Sequence, residues 1–180
     1  MVAGCKKDSP LESLHKKNIA VSTDSLGIYS SQGDLAMVKL LLDAGIEVNT
    51  KNSRGSNALI EASWAGKQEV VSYLLDAKAD VNSASSGKLT ALSAAVNQKQ
   101  ESVALLLLEH SAKPNVVDSA GSTSLIEAAW QGNLSLVKAL LAKGAALNYK
   151  RPDNGFTALK AVVATNKTDV VQALKAAGAT

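Results

Sequence analysis

The sequence predicts an all-α solenoid of about five helix-turn-helix units, joined by β-hairpins or loops. The first observation is a period: an asparagine recurs every 33 residues, at Asn49, Asn82, Asn115 and Asn148. The second is that two short apolar segments and one polar stretch recur within each period. The third is the composition, which is rich in Ala, Leu and Val but has a single Phe and two Met. Such residues suit thin layers of packed helices better than one thick core.

The unit at residues 50–82 shows how each repeat is expected to fold. Its first apolar segment consists of small residues and ends at Gly66. The second places its apolar residues on one helical face, from Val70 to Leu75. The Ser- and Asn-rich stretch at residues 82–86 has no such face and predicts a loop or hairpin. One helix pair of this size cannot bury its own apolar face, so we expect neighbouring pairs to stack.

The same pattern divides the chain into three parts. Residues 1–8 are expected to form a leader or tether, and residues 9–21 a capping helix with a linker. The predicted repeat domain covers residues 22–180. Its repeats are expected at about 22–49, 50–82, 83–115, 116–148 and 149–180.

Both ends of the array carry expected capping features. Ser9 is a suitable N-cap and Glu12 completes a capping-box spacing, so an extra helix is predicted there. Leu11 and Leu14 of that helix should lie against the first repeat. In the last repeat Lys175 replaces the leucine of earlier outer helices, which suits a terminal face exposed to water.

These motifs resemble those of ankyrin-repeat proteins over about residues 22–180. The resemblance rests on the starts "GSTSL" at Gly121 and "GFTAL" at Gly155, on the "VVxxLL" helices and on the "GAxxN" ends. Lys88 departs from the family, since it stands where the turn glycine belongs. The resemblance implies that a partner protein binds a concave face, made of hairpin tips and the exposed ends of the inner helices.

The family's binding face implies ten partner-binding residues in this sequence. The phrases "LIEASWAG" and "LIEAAWQG" lie 66 residues apart and contain the chain's two tryptophans. Tryptophan is a frequent interface hot spot. A second interpretation stays open, in which each tryptophan covers its own helix and the neighbouring loops. The ten residues are Lys51, Arg54, Trp64, Leu89, Asn97, Trp130, Gln131, Lys150, Arg151 and Phe156.

No catalytic, cofactor or metal site is predicted. The repeated carboxylates Glu61 and Glu127 should lie roughly 16–20 Å apart, because two layers of helices separate them. That separation exceeds what paired catalytic carboxylates use, so both are expected to hold a neighbouring loop. The predicted function is a non-catalytic protein-protein interaction module, in a sharper form an inhibitor or immunity protein. The alternative is an enzyme or small-molecule binder whose site the sequence does not show.

The first residues resemble the end of a bacterial lipoprotein signal. "MVAGC" matches a lipobox that ends at Cys5, the one cysteine of the chain, and the polar "KKDSP" matches a tether. This resemblance implies a bacterial protein lipidated at Cys5 and anchored at a membrane facing the periplasm; the alternative is a cytoplasmic protein. The net charge is only +3, and Lys and Arg alternate with Asp and Glu along the chain, so no nucleic-acid partner is expected. We expect a monomer.

Overall fold

The computed structural model describes residues 8–180, so Cys5 and the rest of the predicted lipobox lie outside the described residues. Across the described part, eleven helices follow one another, and the one β interaction is a bridge between Ala84 and Thr90. The predicted all-α repeat fold is confirmed. The connections are therefore loops, with one rudimentary hairpin in the third repeat.

A short first helix precedes five helix pairs, and the first helix of each pair is here called inner and the second outer. The inner helices pack on one another in sequence, and so do the outer helices. Helix α1 covers Pro10–Lys16. The pairs are α2 (Thr23–Gln32) with α3 (Leu35–Asp43), α4 (Ala58–Trp64) with α5 (Gln68–Asp76), α6 (Ala91–Asn97) with α7 (Glu101–Glu109), α8 (Ser124–Gln131) with α9 (Leu134–Ala142), and α10 (Ala158–Ala164) with α11 (Thr168–Ala176).

Polar N-caps fix the start of the inner helices. The side chain of Thr123 accepts a hydrogen bond from the backbone N–H of Ile126, as an N-cap does for an unpaired N–H of the first turn. Thr90 goes further and forms a capping box with Ser93. The loop residue directly before a cap, such as Leu89 before Thr90, is thereby held at the start of an inner helix. The corresponding caps elsewhere are Ser22, Asn57 and Thr157.

Leucine and alanine divide the core between them. Leu125 of α8 is 1% exposed, and the equivalent leucines of α4 and α6 are equally buried. The inner helices meet through alanines that are fully buried, such as Ala95 and Ala128. Small side chains let neighbouring helices approach at the short end of the usual 8–10 Å range.

The recurring asparagines connect each repeat to the next. Asn115 Oδ1 accepts a hydrogen bond from the Ala146 N–H at 2.7 Å, and its Nδ2 donates to the Gly144 carbonyl at 2.9 Å. One side chain therefore holds the end of the following outer helix in place, which explains the period at the atomic level. The same pair of contacts recurs at Asn49, Asn82 and Asn148.

The first helix has the predicted capping box but only half of the predicted packing. Ser9 and Glu12 exchange hydrogen bonds at the helix start. Leu14 is fully buried, whereas Leu11 is 47% exposed, so its predicted packing is wrong. Ile19 is partly buried instead, because its N–H bonds to the Leu14 carbonyl and folds the chain back against the core.

The third repeat carries strain at the turn where the sequence departs from the family. Lys88 has a φ of 60°, and its counterparts Gly55, Gly121 and Gly155 have φ between 64° and 75°. This left-handed conformation costs a residue with a Cβ about 1–2 kcal/mol. The turn is therefore formed despite its sequence, by the surrounding fold.

Candidate functional site

The largest exposed apolar side chains of the repeats lie on the inner helices. Trp64 of α4 is 44% exposed and Trp130 of α8 is 49% exposed. One turn before each tryptophan lies a buried isoleucine, Ile60 in α4 and Ile126 in α8. The indole therefore lies at the edge of the core. A half-exposed tryptophan on a rigid helix leaves a large apolar area in contact with water.

Trp64 forms one wall of a pocket between the second and third repeats, here called the Trp64 pocket. Its volume is about 330 Å³. The opposite wall is Leu89, which directly precedes the cap of the next inner helix. The remaining lining residues are Arg54, Ser56, Ile60, Glu61 and Ser85.

Trp130 forms a matching pocket between the fourth and fifth repeats, here called the Trp130 pocket. Its volume is about 270 Å³. Phe156 closes it, with its ring centroid 6.5 Å from that of Trp130 and the planes tilted by 55°. The remaining lining residues are Ser122, Ile126, Glu127 and Arg151.

Five lining residues of the Trp130 pocket correspond in position to lining residues of the Trp64 pocket at an offset of 66. The sixth pair, Leu89 and Phe156, is 67 apart because the last connection has one extra residue. Arg54 has no counterpart in the Trp130 pocket, since Ala120 stands at its position. The third repeat, which lies between the two pockets, lacks these residues. Asn97 stands at its tryptophan position and Ala94 at its glutamate position. The repeated phrase thus marks two equivalent sites with a polar surface between them.

Glu61 connects the Trp64 pocket to the loop that precedes α4. Its Oε1 accepts hydrogen bonds from Asn52 Nδ2 at 3.2 Å and from Arg54 Nη2 at 3.4 Å. The predicted loop-holding role of Glu61 is therefore confirmed. The Arg54 side chain is 70% exposed, and such surface ion pairs contribute little to stability. Arg54 is consequently available to an incoming carboxylate.

For Glu127 the predicted loop-holding role is wrong. It accepts a hydrogen bond from Gln131 Nε2 at 2.9 Å, on its own helix. The same nitrogen donates to the Val96 carbonyl of the preceding inner helix at 2.7 Å. The amide nitrogen of Gln131 is thus engaged within the protein, where it stiffens the helix that carries Trp130.

Arg151 holds the rim of the Trp130 pocket in place. Its Nη2 donates to the Ala120 carbonyl at 2.8 Å and to Asp153 Oδ2 at 3.0 Å. Tyr149 adds a hydrogen bond from its hydroxyl to the Gly121 carbonyl at 3.2 Å. These contacts join the last two loops, so the wall formed by Phe156 is fixed relative to Trp130.

The loops beside the pockets are cationic. The connecting loops, residues 50–57, 83–90, 116–123 and 149–157, contain three lysines, two arginines and two aspartates. Their net charge of +3 equals that of the whole chain. At the first of these loops, the Ser53 N–H donates to Asp24 at 2.8 Å and lowers the pKa of that carboxyl.

Six of the ten residues predicted from the sequence line the two pockets, three in each. Lys51 and Lys150 lie exposed on the connecting loops, Asn97 lies between the pockets, and Gln131 braces α8. The predicted set omitted several lining residues, although the repeated "LIEA" phrase contained four of them. The omitted residues are Ser56, Ile60, Glu61, Ser85, Ser122, Ile126 and Glu127.

A larger cavity, of about 660 Å³, lies away from both tryptophans at the start of α5. It is an open groove lined by Gly33, Gly66, Lys67 and the first residues of α5. Within residues 8–180, no cluster of three His, Cys, Asp or Glu side chains is placed to bind a metal ion. None of the described helices is long and apolar enough to cross a membrane.

Comparison with known families agrees with this geometry. The family model described as ankyrin repeats (three copies) matches residues 26–118 and 110–180. Together the two matches cover most of the chain and all five helix pairs except the first residues of α2. No curated protein matches the chain.

Proposed function

Because the chain belongs to the ankyrin-repeat family, whose members are generally protein-protein interaction modules, we propose that it binds a partner protein through the face that carries the Trp64 and Trp130 pockets. The observation that carries this proposal is the pair of half-exposed tryptophans in equivalent pockets on the inner helices. A flat indole loses little conformational entropy on binding, because only two side-chain torsions have to be fixed.

The exposed area of the tryptophans is large enough to matter for affinity. About half of each side chain is in contact with water, which is roughly 100 Å² for a tryptophan. Removing that area from water contributes about 2.5 kcal/mol per indole. Two such anchors on a rigid frame match the hot spots of many protein interfaces.

The proposed role is non-catalytic. Each pocket offers a single carboxylate, one arginine, apolar walls and one or two serine hydroxyls, and neither His15 nor His110 lines it. Glu61 accepts a hydrogen bond from Asn52 at 3.2 Å, and Glu127 accepts one from Gln131 at 2.9 Å. The pockets are therefore suited to holding side chains rather than to proton transfer.

Site-specific photo-cross-linking tests the proposal. A photoreactive residue in place of Asn97, between the pockets, should capture one partner from cells that express the protein. The same residue in place of Gln172, on the outer helix α11, is the matched control and should not capture it. The Asn97 cross-link should disappear in a Trp64→Ala/Trp130→Ala background. A partner captured equally from both positions, or unaffected by the tryptophan changes, would refute this binding face.

In the sharper form of the proposal, the bound partner is an enzyme that this protein inhibits, as an immunity protein does. The test is the activity of the captured partner with and without an equimolar amount of this chain. Inhibition is supported if the unmodified chain abolishes the activity of the partner and the double tryptophan variant does not. Unchanged activity in the saturated complex contradicts it.

We propose that a lipid on Cys5 anchors the protein to a membrane, on the side that faces the periplasm. It rests on the "AGC" triplet and the polar residues that follow it. When the protein is expressed with its native leader in a bacterium, it should fractionate with membranes, and Cys5→Ser should release it. Equal partition of both forms into the soluble fraction contradicts the anchor and favours the cytoplasmic alternative.

A further inference from the structure

We infer that the partner presents a single α-helix that runs along the array and places one bulky apolar side chain in each tryptophan pocket. This inference rests on the proposed function, and it specifies the partner of that same face. Its basis is the match between the two pockets: a tryptophan, an isoleucine, a glutamate and an apolar loop residue recur in the same arrangement two repeats apart.

The relation between the pockets selects a continuous segment. Both are built from equivalent residues of successive inner helices and loops, with the chain running in the same direction in each. Successive repeats of a solenoid are related mainly by a translation along the array. A two-fold symmetric partner would present its two copies in opposite directions. A segment that lies along the array meets both pockets in the same orientation.

The distance between the pockets selects a helix. The inner helices meet through buried alanines such as Ala95 and Ala128. Small side chains at a helix contact favour the short end of the 8–10 Å range, so we expect two repeats to span about 16 Å. In an α-helix, residues i and i+11 are about 16.5 Å apart and point to the same side. In an extended strand, residues i and i+5 are about 16.5 Å apart, but their side chains point to opposite faces of the strand.

The surface between and beside the pockets defines the rest of the helix. Asn97 replaces tryptophan midway between them and leaves a polar amide there, so the helix should carry small or polar residues at its centre. The connecting loops carry a net charge of +3, and Arg54 is exposed at the rim of the Trp64 pocket. Electrostatic complementarity therefore favours acidic residues on the side of the helix that faces the loops.

A set of stapled helical peptides tests the inference. The main peptide has about 20 residues, leucines at i and i+11, a flank of glutamates, and no tryptophan, so that it remains helical in water. Control peptides have leucines at i and i+7, which share a face but span one repeat, a single leucine, or lysines in place of the glutamates. The protein has two tryptophans, so Trp64→Phe leaves fluorescence from the Trp130 pocket alone, and Trp130→Phe leaves that from the Trp64 pocket.

The main peptide should change the fluorescence of both single-tryptophan variants with the same midpoint. It should bind at least about 30-fold more tightly than the i, i+7 and single-leucine peptides, which corresponds to the loss of one hot spot. The lysine peptide should bind more weakly still, and the difference should shrink as salt is added.

Each contrary outcome overturns the inference. If the i, i+7 or single-leucine peptide binds as tightly, or if one tryptophan alone responds, one helix does not engage both pockets. If none of the peptides binds, the helical partner is wrong. The Asn97 photo-cross-link decides the proposed function independently, because it captures the natural partner whatever its secondary structure.

Discussion

The indole of Trp130 faces the phenyl ring of Phe156 from the next repeat, with centroids 6.5 Å apart and planes tilted by 55°. Tilted aromatic pairs contribute about 0.5–1.5 kcal/mol beyond the area they bury. We therefore expect Trp130→Ala and Phe156→Ala to be non-additive in the free energy of unfolding, with a coupling of about that size. A double-mutant cycle followed by urea denaturation measures it.

The same cycle between Trp130 and Leu89 is the matched control. Leu89 forms the equivalent wall of the other pocket, so its effect should add to that of Trp130→Ala within about 0.5 kcal/mol. Additivity in the Trp130 and Phe156 cycle would show that the two rings do not stabilise one another.

Leu125 of α8 is buried in the core, with 1% of its surface exposed. Leu125→Ala should lower the free energy of unfolding by about 2–5 kcal/mol, since it removes packed atoms and leaves a cavity. The measurement is the urea midpoint with its slope. Leu11→Ala is the control, because Leu11 is 47% exposed and its truncation should cost less than about 1 kcal/mol. A Leu125→Ala cost as small as that of the control would place Leu125 outside the core.

The fourth repeat is held to the third by the side chain of Asn115. Asn115→Ala removes the two hydrogen bonds to Ala146 and Gly144, which should destabilise the fourth repeat by about 1–2 kcal/mol. Amide hydrogen exchange should show this as faster exchange in α9 than in α4 and α5. Asn97→Ala is the control, because the Asn97 side chain makes no hydrogen bond in the described structure, and it should leave exchange in α9 unchanged. Equal exchange in both variants would mean that the asparagine contacts do not couple the repeats.

Replacement of Lys88 should relieve strain. Lys88 has a φ of 60°, which costs a non-glycine residue about 1–2 kcal/mol, whereas glycine adds about 0.5–1 kcal/mol of unfolded-state entropy. Lys88→Gly should therefore raise the free energy of unfolding by about 0.5–1 kcal/mol in urea denaturation. Lys88→Ala removes the same charge but keeps the Cβ, so it should give no such gain. Stabilisation by alanine equal to that by glycine would assign the effect to charge.

The repeat fold could be predicted because its signals are local and recur. The asparagine period, the polar caps and the apolar faces each depend on a few neighbouring residues, and five copies reinforce one another. The packing of α1 depended on more than spacing. Leu11 and Leu14 share a helical face, but the turn at Ile19 supplies a competing apolar side chain, and Leu11 stays exposed.

The pockets could be predicted only in part, because each is formed by two repeats. Trp64 and Leu89 each stood out as large residues in open positions. Ser85 enters the Trp64 pocket through the register between repeats, which no short stretch of sequence specifies. The engagement of Gln131 with the Val96 carbonyl, 35 residues away, was hidden for the same reason.

The most direct test of the proposed binding face is the affinity of the captured partner for the Trp64→Ala/Trp130→Ala variant, measured by calorimetry. The account predicts that binding weakens by at least about 30-fold, or 2 kcal/mol, while circular dichroism shows the helices retained. Ser72→Ala and Gln172→Ala, on the outer helices α5 and α11, should bind as the unmodified protein does. The contradictory result is a double variant that unfolds at much lower denaturant while its folded fraction binds with unchanged affinity. In that case both tryptophans serve packing, and the partner binds elsewhere.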